Sequence, residues 1–123
     1  MKKDDMIFIE HMSQSIEDIE SFTKGTNKDK FMTQKMMQNA VVRSIEIIGE
    51  AVKNLNIDFK MKYPEVEWSK IAGTRDKMIH NYFGINLDML WNTVKENLPK
   101  LKEQIKHIQE KEKSFQKSKK QSL

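Results

Sequence analysis

Apolar side chains recur along this chain at spacings of three and four, the signature of amphipathic helices. Ile9, Met12, Ile16 and Ile19 mark one face of a first helix over residues 4–23. The stretch KGTNKD (24–29) interrupts it, with Gly25 suited to a C-terminal cap and Asn27 or Asp29 to opening the next helix. That second helix, about residues 29–55, is apolar on two faces: Met37, Val41, Ile45, Ile48, Val52 and Leu55 on one, Met36, Ala40, Ile47 and Ala51 on the other. A helix so widely apolar is buried centrally or shared with a second subunit. Between the faces runs a polar line of Asn39, Arg43, Glu46 and Glu50. It reads either as a solvated stripe with an internal Arg–Glu pair or as the border of a functional cleft.

Residues 56–67 form a connection with room for one helical turn, ended at Tyr63-Pro64 because a residue before proline resists the helical region. A third helix over 68–81 places Trp68, Ala72, Arg75, Ile79 and Tyr82 on one repeat, so Arg75 lies on the inward stripe. A fourth starts near Asn86, a good N-cap, and its apolar repeat from Leu87 through Trp91, Val94, Leu98, Leu101 and Ile105 to Ile108 runs past Pro99. Either the helix kinks there or Pro99 opens a new helix in the same direction. The pattern contains no convincing strand. It predicts an all-α, up-and-down bundle of about four to five helices, homodimeric if the second helix is shared.

Composition refines this picture. The 123 residues fit one domain. Without cysteine there is neither a disulfide framework nor a thiolate metal site, which fits a cytoplasmic setting. The start, MKKDDMIFIEHMSQ, has an apolar run too short for a signal peptide, and no run approaches membrane-spanning length. The net charge of +4 is concentrated in residues 111–123, which hold five lysines and one glutamate, while 17 basic and 17 acidic groups balance over residues 1–110. The expected organisation is therefore a neutral helical domain, 1–110, and a disordered lysine-rich tail, 111–123, that adds weak phosphate attraction.

The sequence has no glycine-rich phosphate loop, HExxH, or GxSxG. His11 and His107 stand alone and read as surface residues. What remains is TRDKMIHNYFG (74–84), with Arg75, His80 and Tyr82 in close succession. Histidine moves protons at neutral pH, and arginine clamps phosphate in a bidentate fork. Together they are the minimum for cleaving RNA without a metal or cofactor: the imidazole takes the ribose 2′-hydroxyl proton and the guanidinium holds the charge gathering on phosphorus-bound oxygens. Five residues on a regular helix is about 140° of rotation, so Arg75 and His80 do not share a face. Either the helix ends near His80, or a second copy of the chain completes the site. A structural role for the trio, with Arg75 as a core arginine and His80 and Tyr82 as helix-end residues, fits the same spacing.

RDKMIHNY is similar to the Arg-x4-His-x-Tyr motif of HEPN-domain proteins. RSIEIIGEAVKNL (43–55), YPEVEWSKIAGTRDKMIHNYFGINLDMLWNTV (63–94) and LPKLKEQI (98–105) resemble the HepT toxin branch in particular. The resemblance implies a HEPN-like dimeric bundle with the active cleft at the dimer interface. It implies a metal-independent endoribonuclease, the toxin of a two-gene system whose antitoxin is an MNT-type nucleotidyltransferase. Arg75 would be the phosphate-binding arginine and His80 the catalytic histidine. Tyr82 would accept AMP from the antitoxin, which blocks the cleft, and Asn81 would help orient substrate. Arg43, Glu46 and Glu50 are candidates to support His80 from the second helix. The alternative is a non-catalytic helical dimer that binds nucleotide and positions a nucleotidyltransferase.

Overall fold

The computed structural model describes the backbone of residues 4–80 and 86–121 and the side chains of 4–77 and 86–116. Among the described residues all regular structure is helical. The elements are α1 (Asp5–Thr23), α2 (Lys28–Thr33), α3 (Lys35–Asn54), α4 (Ile57–Lys62), α5 (Trp68–His80), α6 (Leu87–Asn92), a π-helical turn (Thr93–Asn97) and α7 (Leu98–Gln121). The chain is thus the all-α bundle that the periodicity predicts, with α3 central between α1 and α5, and α7 laid against α1.

The core follows the helical stripes. Ile9, Met12, Ile16 and Ile19 of α1 meet Val41, Ile45, Ile48 and Val52 of α3, and Leu98, Leu101, Ile105 and Ile108 of α7 close the far side. The second apolar face of α3 divides: Ala51 is buried, Ala40 and Ile47 are half-buried, and Met36 is 86% exposed.

The span 29–55, read from sequence as one helix, is two. Asn27 caps α2 by accepting a hydrogen bond from the Lys30 amide, and the helix turns Phe31 into the core against Trp91, ring centres 5.1 Å apart. Seating that ring forces a break at Gln34 (φ −106°, ψ 85°). The Phe31 carbonyl freed by the break accepts from the Gln34 amide at 3.2 Å and from Gln38 Nε2 at 2.8 Å. Gly25 sits at φ +74°, a left-handed turn that a side chain would strain.

At Pro99 the helical backbone does not stop: Leu98, just before it, is itself helical (φ −68°, ψ −38°). Proline lacks the amide that an α-helix needs four residues past each carbonyl, and the chain widens into a π turn just before it, the Leu98 amide bonding the Thr93 carbonyl. Pro99 then occupies the first turn of α7, where a missing amide costs least.

Into the lysine-rich segment α7 carries helical backbone to Gln121, with Lys111 and Lys113 exposed. Glu112 accepts from the buried Tyr63 hydroxyl and pairs with Lys62 at 2.8 Å, while Lys62 Nζ lies 4.4 Å from the Phe115 ring centre. Burial, reinforced by the Glu112 carboxylate, pushes the Tyr63 phenol above its ordinary pKa of 10.0. Among the described residues no helix is long and apolar enough to cross a membrane.

Candidate functional site

Two short-range choices bring α5 against α3. Trp68 starts α5, and its indole Nε1 donates to the Tyr63 carbonyl at 3.0 Å, anchoring the helix to the preceding turn. Farther along, Gly49 of α3 faces Arg75 of α5 so closely that a Cβ on Gly49 would lie 2.1 Å from Arg75 Cβ and 2.7 Å from Cγ. No residue but glycine admits this crossing without displacement.

The close approach lays the Arg75 side chain across α3, 26% exposed. Its Nη2 pairs with Glu50 at 3.0 Å, and its Nη1 reaches Asp76 at 3.3 Å. Asp76 in turn holds Lys53 of α3 at 2.6 Å. The hydrogen bond from Lys53, joined by that from Arg75, keeps the Asp76 carboxyl below the ordinary carboxylate range. Charges therefore alternate along Glu50, Arg75, Asp76 and Lys53, and both nitrogens of the guanidinium fork are oriented before any ligand arrives.

Arg75 opens on a cleft of about 400 Å³ whose walls include Arg43, Glu46 and Glu50 of α3. The polar line of α3 and the arginine of α5 are thus one surface. Glu50 is committed to Arg75 across the helix pair, and Arg43 makes no ion pair with Glu46 or Glu50 among the described residues. Asn39, at the start of the same line, is exposed and does not line the cleft. The far wall comes from α1, through Phe8 and His11, whose rings meet edge to face at 5.9 Å and 87°. Sequence reading leaves His11 on the surface. It is exposed, but its place beside Arg75 depends on how α1 packs against α3, for which no motif spacing gives a signal.

The backbone of α5 is helical through His80, five residues past Arg75. The His80 side chain, Asn81 and Tyr82 lie outside the described residues. His107 is exposed on α7 and does not line this cleft. No group of three or more His, Asp or Glu side chains is placed to hold a metal ion among the described residues.

Comparison with known proteins decides the family. The "Ribonuclease HepT-like" profile matches residues 12–108, most of the chain, including all of α3 and α5 and the greater part of α1. This chain belongs to the HepT-like ribonuclease family. It is 44% identical over 106 residues, 86% of its own length, to an RNase-named protein of Caldanaerobacter subterraneus subsp. tengcongensis, of which it covers 95%. To a protein of Thermococcus cleftensis named as a HepT ribonuclease it is 46% identical over 102 residues, 83% of this chain and 93% of the relative. A Methanocaldococcus jannaschii protein, named for both a gamma-glutamylcyclotransferase and an RNase, is 48% identical over 110 residues, 89% of this chain. The HepT-like chain spans 50% of that larger relative. No solved structure matches it.

Proposed function

We propose that this HepT-like chain is a metal-independent endoribonuclease, the toxin of a two-gene system, acting as a homodimer in the cytoplasm. The observation that carries the reading is the oriented Arg75 guanidinium in an open cleft, five residues before His80, within a ribonuclease-named family. Arg75 binds the scissile phosphate through its fork and stabilises the charge that builds on the phosphoryl oxygens. His80 accepts the proton of the ribose 2′-hydroxyl. The 2′-oxygen bonds to phosphorus as the bond to the 5′-oxygen breaks, and the departing oxygen is protonated, leaving a cyclic phosphate and a 5′-hydroxyl. The mechanism requires the 2′-hydroxyl and so selects RNA over DNA.

Because α5 remains helical to His80, the two residues stand about 140° apart around its axis. A second copy of the chain meets that demand by supplying residues across a shared cleft, with Asn81 orienting substrate. Open apolar side chains support pairing: Met36, Ile57 and Met61 are 86%, 71% and 72% exposed. The antitoxin is an MNT-type nucleotidyltransferase that transfers AMP from ATP to the Tyr82 hydroxyl, placing a phosphate and a base where RNA must bind.

The test uses purified chain, RNA and a chelator. Cleavage should produce cyclic-phosphate ends and fall by roughly 10²–10⁴-fold in His80→Ala. Arg75→Ala should fall comparably. Intact RNA with the unaltered chain would defeat the ribonuclease reading, and loss of cleavage on chelation would defeat metal independence. Incubation with the partner and ATP should add one or more AMP units, absent in Tyr82→Phe. An unmodified chain that is still neutralised would point to inhibition by binding.

A further inference from the structure

The cleft beside Arg75 has a wall that the cleavage chemistry does not use. Phe8 and His11 project from successive turns of α1, and neither takes part in the Glu50–Arg75–Asp76–Lys53 chain. Phe8 is half-buried and packed on the core, so its ring is a fixed support. His11 is exposed and leans on it edge to face. We propose that the Phe8–His11 pair is a nucleobase shelf, a stacking subsite for an unpaired base of the RNA whose phosphate Arg75 holds. The inference rests on reading this cleft as an RNA site.

Charge gives the first argument. Arg43 and Arg75 line the cleft together with Glu46 and Glu50, so these side chains sum to zero. Attraction for phosphate by field alone is correspondingly weak, and among the described residues no lysine lines the cleft. Binding therefore needs a contribution that does not depend on net charge. Stacking on an aromatic ring supplies one for every base.

Size and chemistry give the second. At about 400 Å³ the cleft lies within the range of small-ligand sites. It juxtaposes a phosphate clamp with two aromatic rings, the two recognition elements that one nucleotide of single-stranded RNA presents. A duplex keeps its bases stacked inside, so the shelf selects loops, bulges and ends. It tolerates any base, because every base offers a π-face.

The experiment compares the full chain with Phe8→Leu, His11→Ala and the double variant, each checked for unchanged helical circular dichroism. Phe8→Leu retains apolar packing, and His11 is exposed, so folding is preserved. Affinity for a short single-stranded oligonucleotide made uncleavable by 2′-O-methylation is read by fluorescence anisotropy, beside the same oligonucleotide lacking its bases. Cleavage of the ordinary RNA gives kcat and KM. The double variant should bind the base-containing oligonucleotide roughly 5- to 150-fold more weakly. Its affinity for the baseless strand should be unaltered, and KM should rise with kcat within about twofold, the pattern of lost uniform binding. Unchanged affinity and KM would overturn the shelf, as would a collapse of kcat at constant KM, which would place His11 at the reacting atoms. If the unaltered chain binds but does not cleave, and the variants still lose base-dependent affinity, the shelf stands and the ribonuclease reading falls. If the unaltered chain does not bind the oligonucleotide, the shelf is wrong.

Discussion

Adding one methyl group at Gly49 tests how the arginine is held. A Cβ there would lie 2.1 Å from Arg75 Cβ, 2.7 Å from its Cγ and 3.5 Å from its Cα. The closest atom is fixed to the α5 backbone and has no rotamer by which to escape. Ordinary contact begins near 3.4 Å, so α3 and α5 must part by roughly 1.3 Å. Overpacking of this kind costs ~3 kcal/mol at the upper end of its usual range. Replacing a helical glycine by alanine returns about 1 kcal/mol of propensity. The net loss is about 2 kcal/mol, which for a domain of this size lowers Tm by about 8 °C. Gly73 provides the matched control. It sits within α5, and among the described residues nothing lies within 4 Å of an added Cβ. Gly73→Ala should therefore realise the propensity gain alone and raise Tm by about 4 °C. Thermal melts followed by circular dichroism at low protein concentration read both. Opposite signs are expected, and a Gly49→Ala protein as stable as the parent would refute the account of the helix crossing. Displacing Arg75 by about 1 Å should also reduce RNA cleavage by about 100-fold.

Other consequences can be measured independently. Glu112→Ala removes the acceptor of the buried Tyr63 hydroxyl and should cost about 1–3 kcal/mol at neutral pH, read by denaturant titration. The raised Tyr63 pKa stabilises the fold fully below 10.0, and that contribution is lost as pH climbs above it. Alkaline melts should therefore show a stability decline above pH 10.0 that weakens in Glu112→Ala, and identical pH profiles would count against the contact. Phe31→Ala empties the seat beside Trp91 and should destabilise by ~3–5 kcal/mol, with altered tryptophan fluorescence; a loss below about 1 kcal/mol would mean that α2 is not anchored by this ring. Glu50→Gln breaks a partly exposed ion pair, so stability should change by no more than about 1 kcal/mol. RNA binding at low salt should tighten because an anion competing for the guanidinium is gone, and weaker binding would show that Glu50 is needed to aim it.

Helical spacing discloses most of the frame because the core is built from stripes: the seams of α1, α3 and α7 are visible as runs of Ile, Val, Met and Leu. The same spacing sets Arg75 on an inward face, where it meets the polar line of α3. What periodicity misses is tertiary in origin. The break at Gln34 exists because Phe31 must reach Trp91, some sixty residues away in sequence. The helix over the lysine-rich segment is stabilised at its start by Tyr63 and Lys62, whereas local composition favours solvation. Phe8 and His11 join the cleft only through the packing of α1 on α3. Nothing in the spacing singles out Gly49, and only the crossing helix shows its purpose.

The π turn has a consequence of scale. By carrying helical backbone from α6 into α7, it creates one continuous helical path from Leu87 to Gln121, about 52 Å of rise at ~1.5 Å per residue. A compact body of this many residues is only about 35 Å across. The last turns of that path, the lysine-rich segment, follow the clasp that Glu112 makes with Tyr63 and Lys62. That clasp ties the segment's charge to the body of the fold through one carboxylate, so the single glutamate among five lysines sets where the lysine-rich end begins.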